Sequence, residues 1–342
     1  MKSPSVVSPS TLPQVNPLGN YLYRHRTGLT VASLAAFLGL LPIFWGNPYT
    51  LGLTNLIAVD VIIVLGLNLF VGYAGQISLG HAAFFGLGAY GTAILTSTYE
   101  LPAWPVMAGV AAVVGLAAWI VGKPTLKLKS HYLAMATVGL NLVLYTVLVQ
   151  WDKMTGGPSG LSGIPPLSIG GFTFHNDFRF HYLVWGMAMV AFMLCINLVR
   201  SGMGRGLAAL ASDEAAASCL GVDVASAKVR IFVLSAVLAS VAGSLYAHNA
   251  RFVSPETFGI FASLDLVTMV VVGGTGSIWG TLFGVTFLRV LPEYLTFFED
   301  WKEVVHGLIL VVILIFLPQG LIVGIGEEIK TRRAKRKLKA EA

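Results

Sequence analysis

Charge is what this chain lacks most. Asp, Glu, Lys and Arg make up 11% of its 342 residues, whereas a soluble domain carries roughly a quarter. With 56% hydrophobic residues and a mean hydropathy of +0.77, a water-soluble globular fold is excluded. Cysteine is nearly absent as well. Cys195 falls in an apolar run and Cys219 in a polar loop, a placement that supports neither a disulfide framework nor a metal site. Catalytic motifs are missing too. No GxxxxGKS/T is present, so the chain has no backbone cradle and lysine for a nucleotide phosphate. Nor does it contain HExxH, CxxC or G-x-S-x-G. The histidines at 25, 81, 131, 175, 181, 248 and 306 never stand at i, i+4 spacing. These absences argue against an enzyme.

What the chain has is apolar length. Runs of about 20 apolar residues match a hydrocarbon core of about 30 Å, and the alternating segments of about 10 residues that close a β-barrel are absent. The pattern predicts an all-α, polytopic transmembrane helical protein. Candidate spans are 29–46, 52–73, 80–98, 103–122, 131–150, 183–199, 229–249, 264–280, 281–297 and 304–323. That gives about 10 (8–10) membrane spans, the lower count applying if two glycine-rich stretches only dip into the membrane. The first run lies too far from the start for a cleaved signal peptide and reads as a retained helix.

Positive charge then sets orientation. With Arg24 and Arg26 inside, Lys123, Lys127, Lys129, Arg200, Arg205, Lys228, Arg230 and the tail from Lys330 to Lys339 all fall on one side. Both termini are therefore expected inside, N-in and C-in. The expected organisation is a cytoplasmic tail over 1–28, a transmembrane domain over 29–325 with an inner loop at 201–228 and an outer loop at 151–182, and a basic cytoplasmic tail over 326–342. The net charge of +6 is the ordinary basic flank of a protein in a lipid bilayer and does not point to nucleic acid.

Two glycine-rich stretches interrupt the hydrophobic pattern, GYAGQISLGHAAFFGLGAYG (72–91) and VVGGTGSIWGTLFG (271–284). Small residues such as Gly75, Gly80, Gly276, Gly280 and Gly284 let helices approach closely in lipid. They also favour broken helices whose freed backbone lines a cavity; both readings stay open. Polar residues beside the first break, Gln76, Ser78 and His81, are candidates for a substrate pathway. Within the apolar spans lie Asn55, Asp60, Asn68 and Asn141, with Asp265 opening a later one. An intramembrane carboxylate such as Asp60 points either to function or to a bond between helices. The outer loop segment Trp151 to Gly171, dense in Gly, Pro and Ser, predicts turns. It is either a connector or part of a docking or gating surface.

The polar segment GRGLAALASDEAAASCLGVDVASAK (204–228) predicts a short exposed helix. Ser212 suits its N-cap, Asp213 and Glu214 its first turn, and Gly221 the position just past its end. Asp223 or Ser226 can cap the next span. Small alanines leave room for a partner surface.

That segment resembles the cytoplasmic EAA-type coupling loop of ABC importer permeases. Glu214, Ala215, Ala216, Gly221 and the later Ile231 follow its order, with Gly221 one residue further from Glu214 than in the usual pattern. The wider chain is similar to the branched-chain amino acid ABC importer permeases of the LivM type, on GYAGQISLGHAAFFGLGAYG, HYLAMATVGL (131–140), TGGPSGLSGIPP (155–166), ASDEAAASCLGVDVASAK (211–228) and VVVGGTGSIWGTLFG (270–284). The resemblance implies a permease subunit in a bacterial inner membrane that moves branched-chain or other neutral amino acids by alternating access. It implies a homologous second permease subunit, two cytoplasmic ATPase subunits that bind ATP and Mg, and a periplasmic solute-binding protein, with no cofactor in this chain. It assigns ATPase coupling to Asp213, Glu214, Ala215, Ala216 and Gly221. Similar permeases are associated with urea, short amides and aromatic acids, so the small-molecule substrate stays open. The rival from another class is an ion-coupled secondary carrier with Asp60 as its titrating group.

Overall fold

The computed structural model describes residues 17–294 except 45, 129, 170–171 and 175, together with the single positions 307 and 311. The tail 326–342 and, apart from those two positions, the candidate span 304–323 lie outside the described residues. Residues 1–46 form one unit, and the second begins at Asn47. In the first, helix α1 (Pro17–Phe44) starts well ahead of the expected position 29. Everything below concerns the second unit.

Helix α2 (Pro48–Asn68) opens with proline at its first position and the Asn47 side chain accepting from the Tyr49 N–H, a standard way to satisfy an orphan donor. It is apolar around its whole circumference, and every residue from Ile57 to Asn68 is buried, as expected of a helix at the centre of a bundle. It runs on through a π-helical turn (Leu69–Tyr73) and stops where Gly75 takes φ +65°. Helices α3 (His81–Ser97), α4 (Ala103–Thr125) and α5 (Ser130–Gln150) follow. The 151–176 connection contains α6 (Asp152–Thr155) and a 3-10 turn (Gly157–Ser159). Its strand β1 (Leu161–Ser162) pairs antiparallel with β4 (Phe252–Val253), and β2 (Ser168–Ile169) pairs with β3 (Phe172–Thr173). The connection is fastened to the bundle by the Trp104 ring N–H donating to Ser168 O at 2.9 Å and the His248 ring to Pro165 O at 2.7 Å.

Helix α7 (Asp177–Arg200) leads into the short helices α8 (Gly202–Ser212) and α9 (Glu214–Cys219), then α10 (Val224–Ala250), α11 (Ile260–Gly273) and α12 (Ile278–Tyr294). Helix α10 packs against α2, α3 and α4, and α2 against α7, α11 and α12. Among the described residues five helices are long and apolar enough to cross a membrane: the continuous α2 with its π turn, α4, α5, α7 and α10. The protein is thus an all-α, multi-pass membrane protein. Helices α4 and α5 leave apolar side chains such as Val113, Leu116, Met135 and Val143 exposed, where lipid or another membrane chain can cover them.

The helix boundaries fall elsewhere than the expected spans 264–280 and 281–297: α11 ends at Gly273 and α12 starts at Ile278. Helix α11 has 14 residues, about 21 Å at the usual rise, too short for a core of about 30 Å. It ends at the bend Gly274–Ser277, and α12 folds back against it. Both glycine readings apply, at different positions. Gly75 and Gly276 (φ +76°) sit in the breaks. Gly280 and Gly284 serve packing, since a Cβ on Gly280 would lie 2.1 Å from Gly273 O and one on Gly284 2.3 Å from Met269 O. Gly80 likewise faces Thr137 O, 2.6 Å from where its Cβ would stand.

Candidate functional site

The polar segment folds as a short helix with both ends closed by its own residues. Its N-cap is Asp213, one residue later than expected: the Asp213 carboxylate accepts from the N–H groups of Ala215 at 2.8 Å and Ala216 at 3.0 Å. Ser212 instead ends α8, its hydroxyl donating to Ala208 O. At the other end the Val222 N–H donates to Ala217 O at 3.1 Å and the Gly221 N–H to Ser218 O at 3.0 Å. This double closure is the Schellman arrangement, which needs a left-handed residue at the position of Gly221, and φ there is +82°. Space does not dictate glycine, because nothing lies within 4 Å of the missing Cβ. Asp223 caps α10 through the Ser226 N–H at 3.1 Å. The Ser226 hydroxyl and N–H hold the Asp223 carboxyl below the usual carboxylate range.

Within α9 Ala217 is buried, while Ala215, Ala216 and Cys219 are exposed. Leu220, at its C-terminal end, is 80% exposed. The sequence reading passed over Leu220 because it looked like an ordinary helix residue.

Glu214 faces inward. Its Oε1 lies 2.5 Å from Lys228 Nζ and accepts from the Gln76 side-chain amide at 3.0 Å. The Lys228 side chain is 6% exposed and that of Glu214 50%, so the pair sits at the boundary between the bundle and the exposed helix. Gly75 packs against Ala211 in α8. The break after α2 is thereby clamped to the α8–α9 segment through residues far apart in sequence.

The three pathway candidates divide. Gln76 belongs to this clamp. Ser78 and His81 lie beside it, with Ser78 Oγ 3.0 Å from His81 Nδ1 and His81 Nε2 2.5 Å from Ser235 Oγ on α10. The His81 ring is enclosed by Phe70, Phe84 and Phe232. The second break is held by Asn68, which donates to Ser277 O at 2.9 Å and Thr281 Oγ1 at 2.7 Å and accepts from the Gly276 N–H at 3.0 Å. Asn55 and Asn141 also bond between elements, to Asp177 O and to Ser263 Oγ.

Asp60 is ion-paired with Arg289 of α12. The sequence reading missed this arginine, although a lone cation in the middle of an apolar run was a visible signal. Lys123, Lys127 and Arg230 line a cavity of ≈ 670 Å³ between α4 and α10. No group of three His, Cys, Asp or Glu side chains suited to a metal ion occurs among the described residues.

The family described as branched-chain amino acid transport system / permease component matches residues 49–314. The chain belongs to that permease family. The match begins at the first turn of α2 and contains both breaks, the coupling-type segment and the Asp60–Arg289 pair. The permease is similar to the high-affinity branched-chain amino acid transport system permease protein LivM of Escherichia coli (strain K12), 32% identical over 296 residues, covering 80% of this chain and 70% of the relative. It is also similar to LivH of the same organism, 24% identical over 295 residues, covering 81% and 93%. The ribose import permease protein RbsC of Haemophilus influenzae is 27% identical over 295 residues, covering 82% and 88%. No solved structure matches the permease.

Proposed function

We propose that the permease carries branched-chain amino acids across a bacterial inner membrane as one membrane subunit of an ATP-driven importer. The observation that carries this reading is the capped, exposed α9 helix tied at Glu214 to Lys228 and Gln76. Such a lever is useless to a chain that moves alone and suited to one pushed by an external motor. In this reading α9 lies on the cytoplasmic side with both termini, and the bundle makes eight to ten crossings. Two ATPase subunits hold ATP and Mg, close on ATP and push α9 through Ala215, Ala216 and Leu220. A homologous second permease completes the pathway, and a periplasmic solute-binding protein delivers substrate at the 151–176 connection. Transport then needs two states of the bundle biased by ATP, with no chemistry on the substrate.

Gln76 transmits the push to the break, and movement of α10 away from Phe70 and Phe84 opens the region of Ser78 and His81 to substrate. A Gln76→Leu, His81→Leu double variant is expected to lose most uptake; unchanged uptake removes these residues from the pathway. The decisive experiment is purification from native membrane. An ATPase should co-purify, and leucine uptake into proteoliposomes should require ATP. Uptake by the chain alone, driven by an ion gradient and blocked by Asp60→Asn, would establish the secondary carrier instead. ATP-dependent uptake of urea, an amide or an aromatic acid in place of leucine would keep the importer and change its cargo.

A further inference from the structure

The cavity of ≈ 670 Å³ between the end of α4 and the start of α10 is lined by Lys123, Lys127 and Arg230, which the coupling scheme does not use. Trp119 and Lys123 stand one turn apart on α4, and Ser226, Arg230 and Val233 share one face of α10, so cations from both helices meet in one groove. Lys123 is held in place, its Nζ 3.6 Å from the centre of the Trp119 ring, a cation–π contact. Beside the groove the two helices pack closely through glycine. A Cβ on Gly122 would stand 2.9 Å from Phe232 Cδ1, and one on Gly115 3.0 Å from Val237 Cγ2.

The charge of the groove survives a full count of its neighbours. Among the described residues none of Lys123, Lys127 and Arg230 is ion-paired with a carboxylate. Asp223 is near enough to Arg230 for the two charges to interact. An adjoining cavity of ≈ 510 Å³ shares Lys127 and contains Glu214, which is matched there by Lys228. Asp213 is committed to the cap of α9 and lines neither cavity. Setting Asp223 against Arg230 and Glu214 against Lys228 still leaves Lys123 and Lys127 without a lining carboxylate. The groove lacks an anion.

The apolar part of the groove says what kind of anion fits. Trp119, Val229 and Val233 line it together with the cations. Ile120 and Leu116, one and two turns further into α4 from Lys123, are each 57% exposed and extend that apolar surface along the helix. A free phosphate or an acidic protein loop would use the cations and leave this track bare. A molecule with an anionic head and aliphatic tails covers both. Basic pockets between membrane helices take such headgroups, and Trp and Lys favour the level where head meets tail.

We infer that the groove binds an anionic phospholipid from the leaflet on the α9 side, its phosphate taken by Lys123, Lys127 and Arg230 and its acyl chains lying along Trp119, Ile120 and Leu116. The site concerns the membrane rather than the cargo, so it stands apart from the importer reading and is read by lipid binding instead of uptake.

The test uses the full chain, purified from native membrane with its associated chains and placed in phosphatidylcholine nanodiscs. The probe is phosphatidylglycerol with a diazirine in its acyl chain. Label is expected on peptides of α4 around Leu116–Ile120 or of α10 around Val229–Val233. Unlabelled phosphatidylglycerol should compete, and phosphatidylcholine and inorganic phosphate should not. The triple variant Lys123→Gln, Lys127→Gln, Arg230→Gln should lower labelling roughly ten- to hundredfold, since each basic residue near an anionic lipid surface contributes about a factor of five. All three side chains are exposed, so this variant should remain monodisperse. The swap Lys123→Arg, Lys127→Arg, Arg230→Lys keeps the charge and should keep most of the labelling. Lys153→Gln, which removes one charge from the 151–176 connection, should label like the unmodified chain. Undiminished labelling of the triple variant, or label confined to other helices, would overturn the site. Competition by inorganic phosphate equal to that by phosphatidylglycerol would replace the lipid with a free anion. No label on the native assembly would assign the groove to a protein partner and overturn the lipid as well.

Discussion

On the proposed importer reading, Glu214→Lys is expected to reduce ATP-driven uptake to below about a tenth while the proposed solute-binding protein keeps its affinity for substrate. Glu214 is the acceptor for both Lys228 and Gln76. A lysine in its place removes that acceptor and sets two cations together, one of them 6% exposed. The pair is half-screened by solvent on the Glu214 side, so its loss falls between the ~1 kcal/mol of an exposed pair and the 3–5 kcal/mol of a buried one. A change of about 1.4 kcal/mol already shifts a two-state balance tenfold, enough to disconnect α9 from the bundle. Lys228→Glu in the same chain should restore part of the uptake, because the reversed pair can form again. Gly221→Val should act similarly by another route. Its left-handed backbone costs a side chain about 1–2 kcal/mol, more for a β-branched one, and without it the closure to Ala217 and Ser218 is lost. Gly221→Asn, whose side chain tolerates this conformation, should transport nearly normally. Normal uptake by both Glu214→Lys and Gly221→Val would sink the coupling assignment.

Gly243→Leu is expected to remove folded protein altogether. Helices α3 and α10 meet backbone to backbone: a Cβ on Gly243 would stand 2.0 Å from Phe85 O, and one on Gly88 2.2 Å from Ser240 O. Overpacking against side chains costs about 1–3 kcal/mol, but here the obstructing atoms are carbonyl oxygens that cannot rotate away. The two helices must separate, and the Thr92–Ser244 bond at 2.7 Å and the His81–Ser235 contact at 2.5 Å go with them. The readout is the monodisperse fraction after detergent extraction. Gly139→Ala on α5, where nothing lies within 4 Å of the added carbon, is the control and should extract like the unmodified chain. A monodisperse Gly243→Leu protein with an unshifted melting temperature would refute the close contact.

How much of this was visible beforehand depends on the range of the interaction. The α9 helix was legible because capping is local: an acidic N-cap, alanines and a glycine follow one another within nine residues of chain, from Asp213 to Gly221. Even so the cap was placed one residue early, since Ser212 and Asp213 are equally good candidates on chemistry alone. Choosing between them depends on which residue has left the preceding helix. Gln76 was singled out for its polarity beside a glycine, and its partner was not foreseen, because 138 residues separate it from Glu214. The pairing of Arg289 was hidden for the same reason: its partner Asp60 is 229 residues away.

The sequence by itself determined that this is a helical membrane protein, which of its stretches are long and apolar enough to cross, and that a capped short helix lies between two of them. Those properties follow from hydropathy over about 20 residues and from hydrogen bonds within a single turn. Only the tertiary structure decided that the chain bends at Gly274–Ser277, that Glu214 holds the first break, and that Asp60 is paired with Arg289. Each of these joins residues from distant helices, and in a bundle that contact is set by which faces pack, a property no local stretch of sequence contains.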